Sequence, residues 1–250
     1  MRMPDAAQRV GDLFNNGTVA DQKAILEALG TSDRGVGDSI LGGVMDRLLN
    51  GSLPASLRLD LLEAAQKSKS AAVTEKLKQF EAARDKKDPL AQYTECFEGG
   101  DVAKGKKIFF EKGSVACLRC HKIGTETVVV GPDLSGIAVR KDRRYIVESI
   151  LLPNAQIAPG FESIILKLKG NVTVGGVLKK ETDSQVILID PNEGEQEIDK
   201  EDIVSRTKGL SAMPEGFDKM LTKRELRDLV EFLGSLKEGT KIEPPGGHGQ

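Results

Sequence analysis

The first third of the chain alternates apolar and polar positions at a helical period. Ala24, Ile25, Ala28 and Leu29 fall on one face, and Ile40, Leu41, Val44, Met45 and Leu48 on another. Leu57, Leu61, Leu62 and Ala65 repeat the pattern, as do Val73, Leu77 and Phe80. Turn-rich stretches at Gly30 to Gly37 and Asn50 to Pro54 separate these runs, so the spacing predicts short helices from Thr18 to about Arg84. The charged stretch Arg84 to Asp88, followed by Pro89, disfavours helix and marks a domain boundary, giving a helical segment over 1–90.

Beyond it, Val102, Gly105 and Phe109 share a side of a helix predicted from Asp101 to Phe110. Near the other end, Thr222-Lys223-Arg224-Glu225 is a capping box, in which the threonine hydroxyl and the glutamate carboxylate each satisfy a backbone N–H of the first turn. Leu226, Leu229, Val230 and Leu233 follow as one apolar stripe. Between these helices the period drops to two. Ile164, Leu166 and Leu168 alternate with their neighbours, Gly170-Asn171 supplies a turn, and Val172, Val174 and Val177 resume the pattern. Val186 to Ile189 and the Glu197-Ile198 region, separated by Pro191 to Gly194, complete a small antiparallel sheet. A sheet of this size buries little, so it is expected to lean on the helical domain around it.

Composition narrows the function class. Lys plus Arg (36) balance Asp plus Glu (38) to a net charge of -2 in 250 residues, without the basic footprint of a nucleic-acid binder. No apolar run approaches the roughly 20 residues of a membrane helix, and Met1 to Val10 does not read as a secretory signal. Three cysteines are too few for a disulfide scaffold. Neither a phosphate-binding G-x-x-x-x-G-K-[ST] loop nor a G-x-G-x-x-G turn is present, and no catalytic residue is predicted.

The cysteine spacing carries more than the count. Cys117-Leu118-Arg119-Cys120-His121 is C-x-x-C-H, the attachment signature of c-type haem. Two cysteines three apart reach two vinyl groups along one edge of the macrocycle, and the histidine that follows is held as the proximal ligand of the iron. A Cys3His zinc site using Cys96, Cys117, Cys120 and His121 is a rival reading, though Cys96 has no near partner. A thioredoxin-like pair would need a βαβ frame that does not surround Cys117. The sixth iron position is open to Met213, in the loop Leu210 to Pro214, or to Met220, which precedes Leu221 and reads equally as a packing residue. His248 lies in the Gly/Pro-rich tail 241–250, expected to be disordered. Arg140, Arg143, Arg144 and Tyr145 are candidates for the propionates or for an ordinary solvated basic face.

The order C-x-x-C-H, Gly131-Pro132-Asp133-Leu134, then Met213-Pro214 before a final amphipathic helix resembles class I cytochromes c. From Cys117 to Leu236 the chain is most similar to the C-terminal haem-binding domain of large planctomycete and verrucomicrobial proteins described as membrane-bound dehydrogenases. The residues carrying that similarity include Tyr145 to Ile150, Pro153-Asn154 and Met213 to Gly216. The helices before it resemble HEAT-like repeat units or a plain helical bundle. The resemblance implies a mainly α architecture: a helical segment over 1–90, then a cytochrome c domain over 91–240 carrying an inserted antiparallel sheet at 161–207. It implies one covalent haem c on Cys117 and Cys120, His121 and Met213 as the two iron ligands, and the Pro132 carbonyl accepting from the proximal imidazole. Gly105 would let the first helix of that domain cross the last one closely. The implied function is single-electron transfer, with a redox partner protein or an upstream dehydrogenase domain as donor, rather than enzymatic turnover by this chain alone. A haem enzyme or a peroxide or gas sensor with an open distal site is the alternative. Such attachment takes place outside the bacterial cytoplasm, so the resemblance implies an exported, periplasmic protein of which this chain is a fragment.

Overall fold

The computed structural model describes residues 3–31, 35–124, 130–238 and 242, so His248 and nearly all of the tail 241–250 lie outside the described residues. The chain divides into two compact units, Met1–Gly100 and Asp101–Gln250.

The first unit is built from α1 (Met3–Asn16), α2 (Val19–Gly30), α3 (Gly35–Leu49), α4 (Arg58–Lys67) and α5 (Ala71–Ala82), with 3-10 turns at Ala55–Leu57 and Ala91–Cys96. Met3, Ala7, Val10 and Phe14 recur at helical spacing before Thr18, so α1 carries a periodic signal of its own ahead of the helices read from Thr18 onward. Among the described side chains of α1, Phe14 is buried in the common core. Thr18 starts α2 with a capping box, its hydroxyl accepting from the Asp21 N–H while the Asp21 carboxylate accepts from the Thr18 N–H at 2.9 Å. Leu26, Leu41, Met45, Leu57, Leu61 and Val73 form the centre of the core. The largest helix contacts run between alternate helices, α2 with α4 and α3 with α5. The chain past α5 is tied back by Arg84, whose Nη1 and Nη2 each donate to the Glu95 carboxylate at 3.0 Å.

In the second unit, Asp101 caps α6 (Val102–Glu111) by accepting from the N–H groups of Ala103 and Lys104. α7 (Ile137–Arg140) and α8 (Arg143–Leu151) follow, the latter capped by Asp142. Then come β1 (Ser163–Leu168), β2 (Thr173–Glu181), β3 (Gln185–Asp190), β4 (Gly194–Asp199) and β5 (Ile203–Lys208), and finally α9 (Phe217–Met220) and α10 (Lys223–Leu233). The strands form one antiparallel sheet in the order β4-β3-β2-β1-β5. β5 adds to the strands expected from alternation: all but its first residue are exposed, so no apolar rhythm marks it.

The sheet also has a core of its own, Ile164, Leu166, Val186, Leu188 and Ile198, instead of borrowing its burial wholly from the helices. β2 runs past the start of β1 and carries an irregularity between Leu178 and Lys180. Its end brings Glu181 to Lys200 (2.9 Å) and to Arg206 of β5 (2.7 Å). Those two cations lower the Glu181 carboxyl below its ordinary value, the bond from Lys200 contributing most.

α10 starts at the capping box read from Thr222 and Glu225. It crosses α6 at Gly105, where a Cβ would lie 1.9 Å from the Asp228 carbonyl oxygen and 2.7 Å from Phe232 Cβ, so only glycine allows this approach. Phe109, Phe110 and Phe232 pack edge-on or tilted around the crossing. Among the described residues no helix is long and apolar enough to cross a membrane.

Candidate haem site

The segment after α6 turns sharply at Ala116, a non-glycine residue at φ 44°, into a 3-10 turn over Cys117–Arg119. The Cys117 carbonyl accepts from the N–H of Cys120 at 3.2 Å and of His121 at 2.9 Å, so both cysteines and the histidine sit on one tight turn. This is the local consequence of C-x-x-C-H spacing.

A second loop locks the imidazole. Gly131 donates its N–H to the Cys120 carbonyl at 2.9 Å, and Leu134 donates to Lys122 at the same distance. These bonds bring the Pro132 carbonyl 2.9 Å from His121 Nδ1. The Nδ1–H donates there, which leaves Nε2 with its lone pair. Burial lowers the His121 pKa and outweighs the opposing pull of the Pro132 bond, so the ring is neutral at physiological pH, the form that binds a metal. Burial pushes the Cys117 thiol up to about 11 and raises Cys120 as well. A redox-active cysteine pair sits in surroundings that lower thiol pKa values, and these do the reverse. Among the described residues no group of three or more His, Cys, Asp or Glu side chains is placed to hold a metal ion, and Cys96 is buried in the first unit. The zinc reading therefore has no ligand set.

Cys117, Cys120, His121, Pro132 and Met213 all line one cavity in the second unit, with about 1280 Å³ of open space counting its mouth. Its apolar wall comes from Phe109 of α6, Ile137 of α7, Ile146 and Ile150 of α8, and Leu229 and Leu233 of α10. A largely apolar cavity of this size, with two thiols, an imidazole and a thioether at its wall, fits a large flat macrocycle attached through C-x-x-C-H. Met220 is 43% exposed and is not part of the lining.

Met213 follows His121 by 92 positions, with the sheet between them. The return is precise because β1 and β5 are antiparallel neighbours, with Ile164 opposite Lys208, and because Gly209 N–H donates to the Ser163 carbonyl at 2.8 Å. The chain leaves and re-enters at one place. Gln156, Ile157 and Phe161 from the outgoing leg and Ser211 and Met213 from the returning leg share the cavity wall.

The basic run divides. Arg140 and Tyr145 line the cavity, Arg140 donating to the carbonyls of Ser135 (2.6 Å) and Asp133 (3.2 Å). Arg143 instead forms a two-pronged pair with Glu231 at 2.8 and 2.6 Å, and neither it nor Arg144 contributes to the wall. Lys141 sits 4.1 Å above the Tyr145 ring and joins the lining. Gly131, named in the sequence only as part of the Gly131-Pro132-Asp133-Leu134 motif and given no role there, makes room for the His121 ring by its missing side chain. Only its place beside Pro132 hinted at this.

Residues 102–165 match the family model for cytochrome c, so this part of the chain is a c-type cytochrome domain. Its cofactor is covalently bound haem c, and it transfers electrons through that haem to or from a redox partner. No curated protein matches the chain. The matched stretch contains Cys117, Cys120, His121 and Pro132 and ends inside β1, ahead of Met213.

Proposed function

We propose that this chain is a single-electron carrier in which His121 and Met213 are the two iron ligands and Pro132 orients the imidazole. The observation that carries this reading is the presence of Met213 in the wall of the cavity that holds Cys117, Cys120 and His121. Haem c joined to the two cysteines supplies a one-electron iron couple there. Pro132 holds the Nδ1 proton, fixing the tautomer and the ring plane and keeping Nε2 available. The Met213 thioether favours ferrous iron more than a second histidine would, which sets a higher potential. The side chains of α6, α8 and α10 exclude water and keep the site in a low dielectric.

The electron donor in this reading is a redox partner protein or a dehydrogenase domain of a larger parent, of the kind found in the planctomycete proteins the chain resembles. Its place is the periplasm. The alternate stacking of α2 on α4 and α3 on α5 supports a HEAT-like arrangement, in which corresponding helices of successive pairs lie side by side.

The test is spectroscopic. The ferric holoprotein is expected to show the weak near-infrared band of sulfur-to-iron charge transfer, and the ferrous protein to take up CO slowly. Met213→Ala should abolish the band and open the iron to CO. Persistence of the band in that variant would move the ligand to Met220. A high-spin ferric spectrum with rapid CO uptake in the unmodified protein would instead make it an open-site enzyme or sensor.

A further inference from the structure

We propose that Asn154 is the positioning residue for Met213, holding the loop that presents it by gripping that loop on both sides of the methionine. The inference rests on the reading of Met213 as an iron ligand and adds what keeps it in place.

The returning leg from Gly209 to Gly216 has no regular secondary structure, and it contains Pro214, which lacks a backbone donor, and Gly216 at φ 95°. Pro214 restricts the backbone locally, but this does not tie the segment to the rest of the unit. Asn154 supplies the constraint from the outgoing leg. Its Oδ1 accepts from the Ser211 N–H at 2.8 Å, and its Nδ2 donates to Glu215 Oε1 at 2.6 Å. Ser211 in turn accepts from the Met213 N–H through its hydroxyl at 3.2 Å. The two bonds from one planar amide thus bracket Met213, two residues before it and two after.

The chemistry selects asparagine. One partner is a backbone donor and the other a carboxylate, so the bridging group must accept at one end and donate at the other. That requirement also fixes which way round the amide lies. An aspartate would set a second carboxylate against Glu215, and an alanine would make neither bond. The position matters equally, because Asn154 follows the buried Pro153, which lines the cavity directly after α8. α8 carries Ile146 and Ile150 into the same wall, so the grip references the loop to a packed helix. The Gly209–Ser163 bond closes the neck of the insert at its root, and Asn154 carries that closure on to the methionine.

Asn154 is exposed, so water competes for both bonds, and the expected effect is a shift in ligand occupancy with the fold retained. In the haem-loaded full chain, Asn154→Ala should weaken the near-infrared sulfur band and speed CO uptake by the ferrous protein about tenfold, with far-ultraviolet circular dichroism unchanged. Asn154→Asp should do at least as much. Combining Asn154→Asp with Glu215→Gln exchanges the donor and the carboxylate and should restore both readouts, which a role confined to general stability would not do. Unchanged CO uptake and band in Asn154→Ala, or no recovery in the double variant, would overturn the proposal. If the unmodified protein lacks the band, the ligand reading fails and this inference with it, a result visible before any substitution is made.

Discussion

A methyl group added at Gly131 would lie 2.7 Å from His121 Cε1 and 2.9 Å from Nδ1, closer than real side-chain contacts come. The ring would have to tilt, and the first bond lost would be the one to the Pro132 carbonyl. Gly131→Ala is therefore expected to cost about 1–3 kcal/mol of stability, the usual penalty for overfilling a packed site. It should also shift the visible spectrum, because the imidazole loses the partner that sets its orientation and basicity. Thermal unfolding and the absorption spectrum of the holoprotein check both. A variant that unfolds earlier with an unaltered spectrum would show that the ring tolerates the crowding. Cys117, Cys120 and His121 could be read directly because C-x-x-C-H is contiguous: its chemistry is encoded by neighbours along the chain. Gly131 and Asn154 act on residues 10 or more positions away, and nothing local to either marks what it touches.

Elements differ in legibility for a related reason. α10 announces itself twice, by the Thr222–Glu225 capping box and by an apolar stripe at helical spacing. β5 has no buried side chain, so it is held by its pairing with β1, which only the folded chain supplies. The α6–α10 crossing carries a pH dependence. Asp228 accepts from the Asp101 N–H at 2.8 Å, yet burial raises its carboxyl above the ordinary 3.8, outweighing that bond and the pull of Arg227 and Lys104. The folded chain keeps this proton to a higher pH than the unfolded chain does. Asp228 therefore costs stability as pH rises from 3.8 through its raised value. Asp228→Asn keeps an acceptor for Asp101 without the charge. Urea midpoints of variant and parent should coincide near about pH 3 and favour the variant near about pH 7. A variant that is weaker at both would mean that the carboxylate is needed as the stronger acceptor.

Across the whole molecule, each unit has a hydrophobic core of its own, and each is expected to unfold in its own step. The Arg84–Glu95 pair gives a way to separate the steps. Glu95 is 2% exposed, and its removal would leave the Arg84 guanidinium with one carboxylate partner, Glu81, in place of two. Glu95→Gln should lower the stability of the first unit by about 1.5–3 kcal/mol, because the guanidinium loses one of its two charged acceptors. Calorimetry should show that transition moving down while unfolding followed by the haem absorption stays in place. Equal movement of both would mean that the two units melt together.

The wall of the haem cavity draws on α6 near its beginning in the unit and on α10 near its end, which meet at Gly105. The haem-bearing turn and the α10 wall of its chamber are more than a hundred residues apart along the chain, so the chamber exists only once the unit has folded. Until α10 packs against α6, this wall is incomplete and a loosely bound cofactor would be poorly retained. Two thioether bonds to Cys117 and Cys120 would hold the haem while the chain folds around it, so the covalent tether is matched to a chamber closed by distant segments.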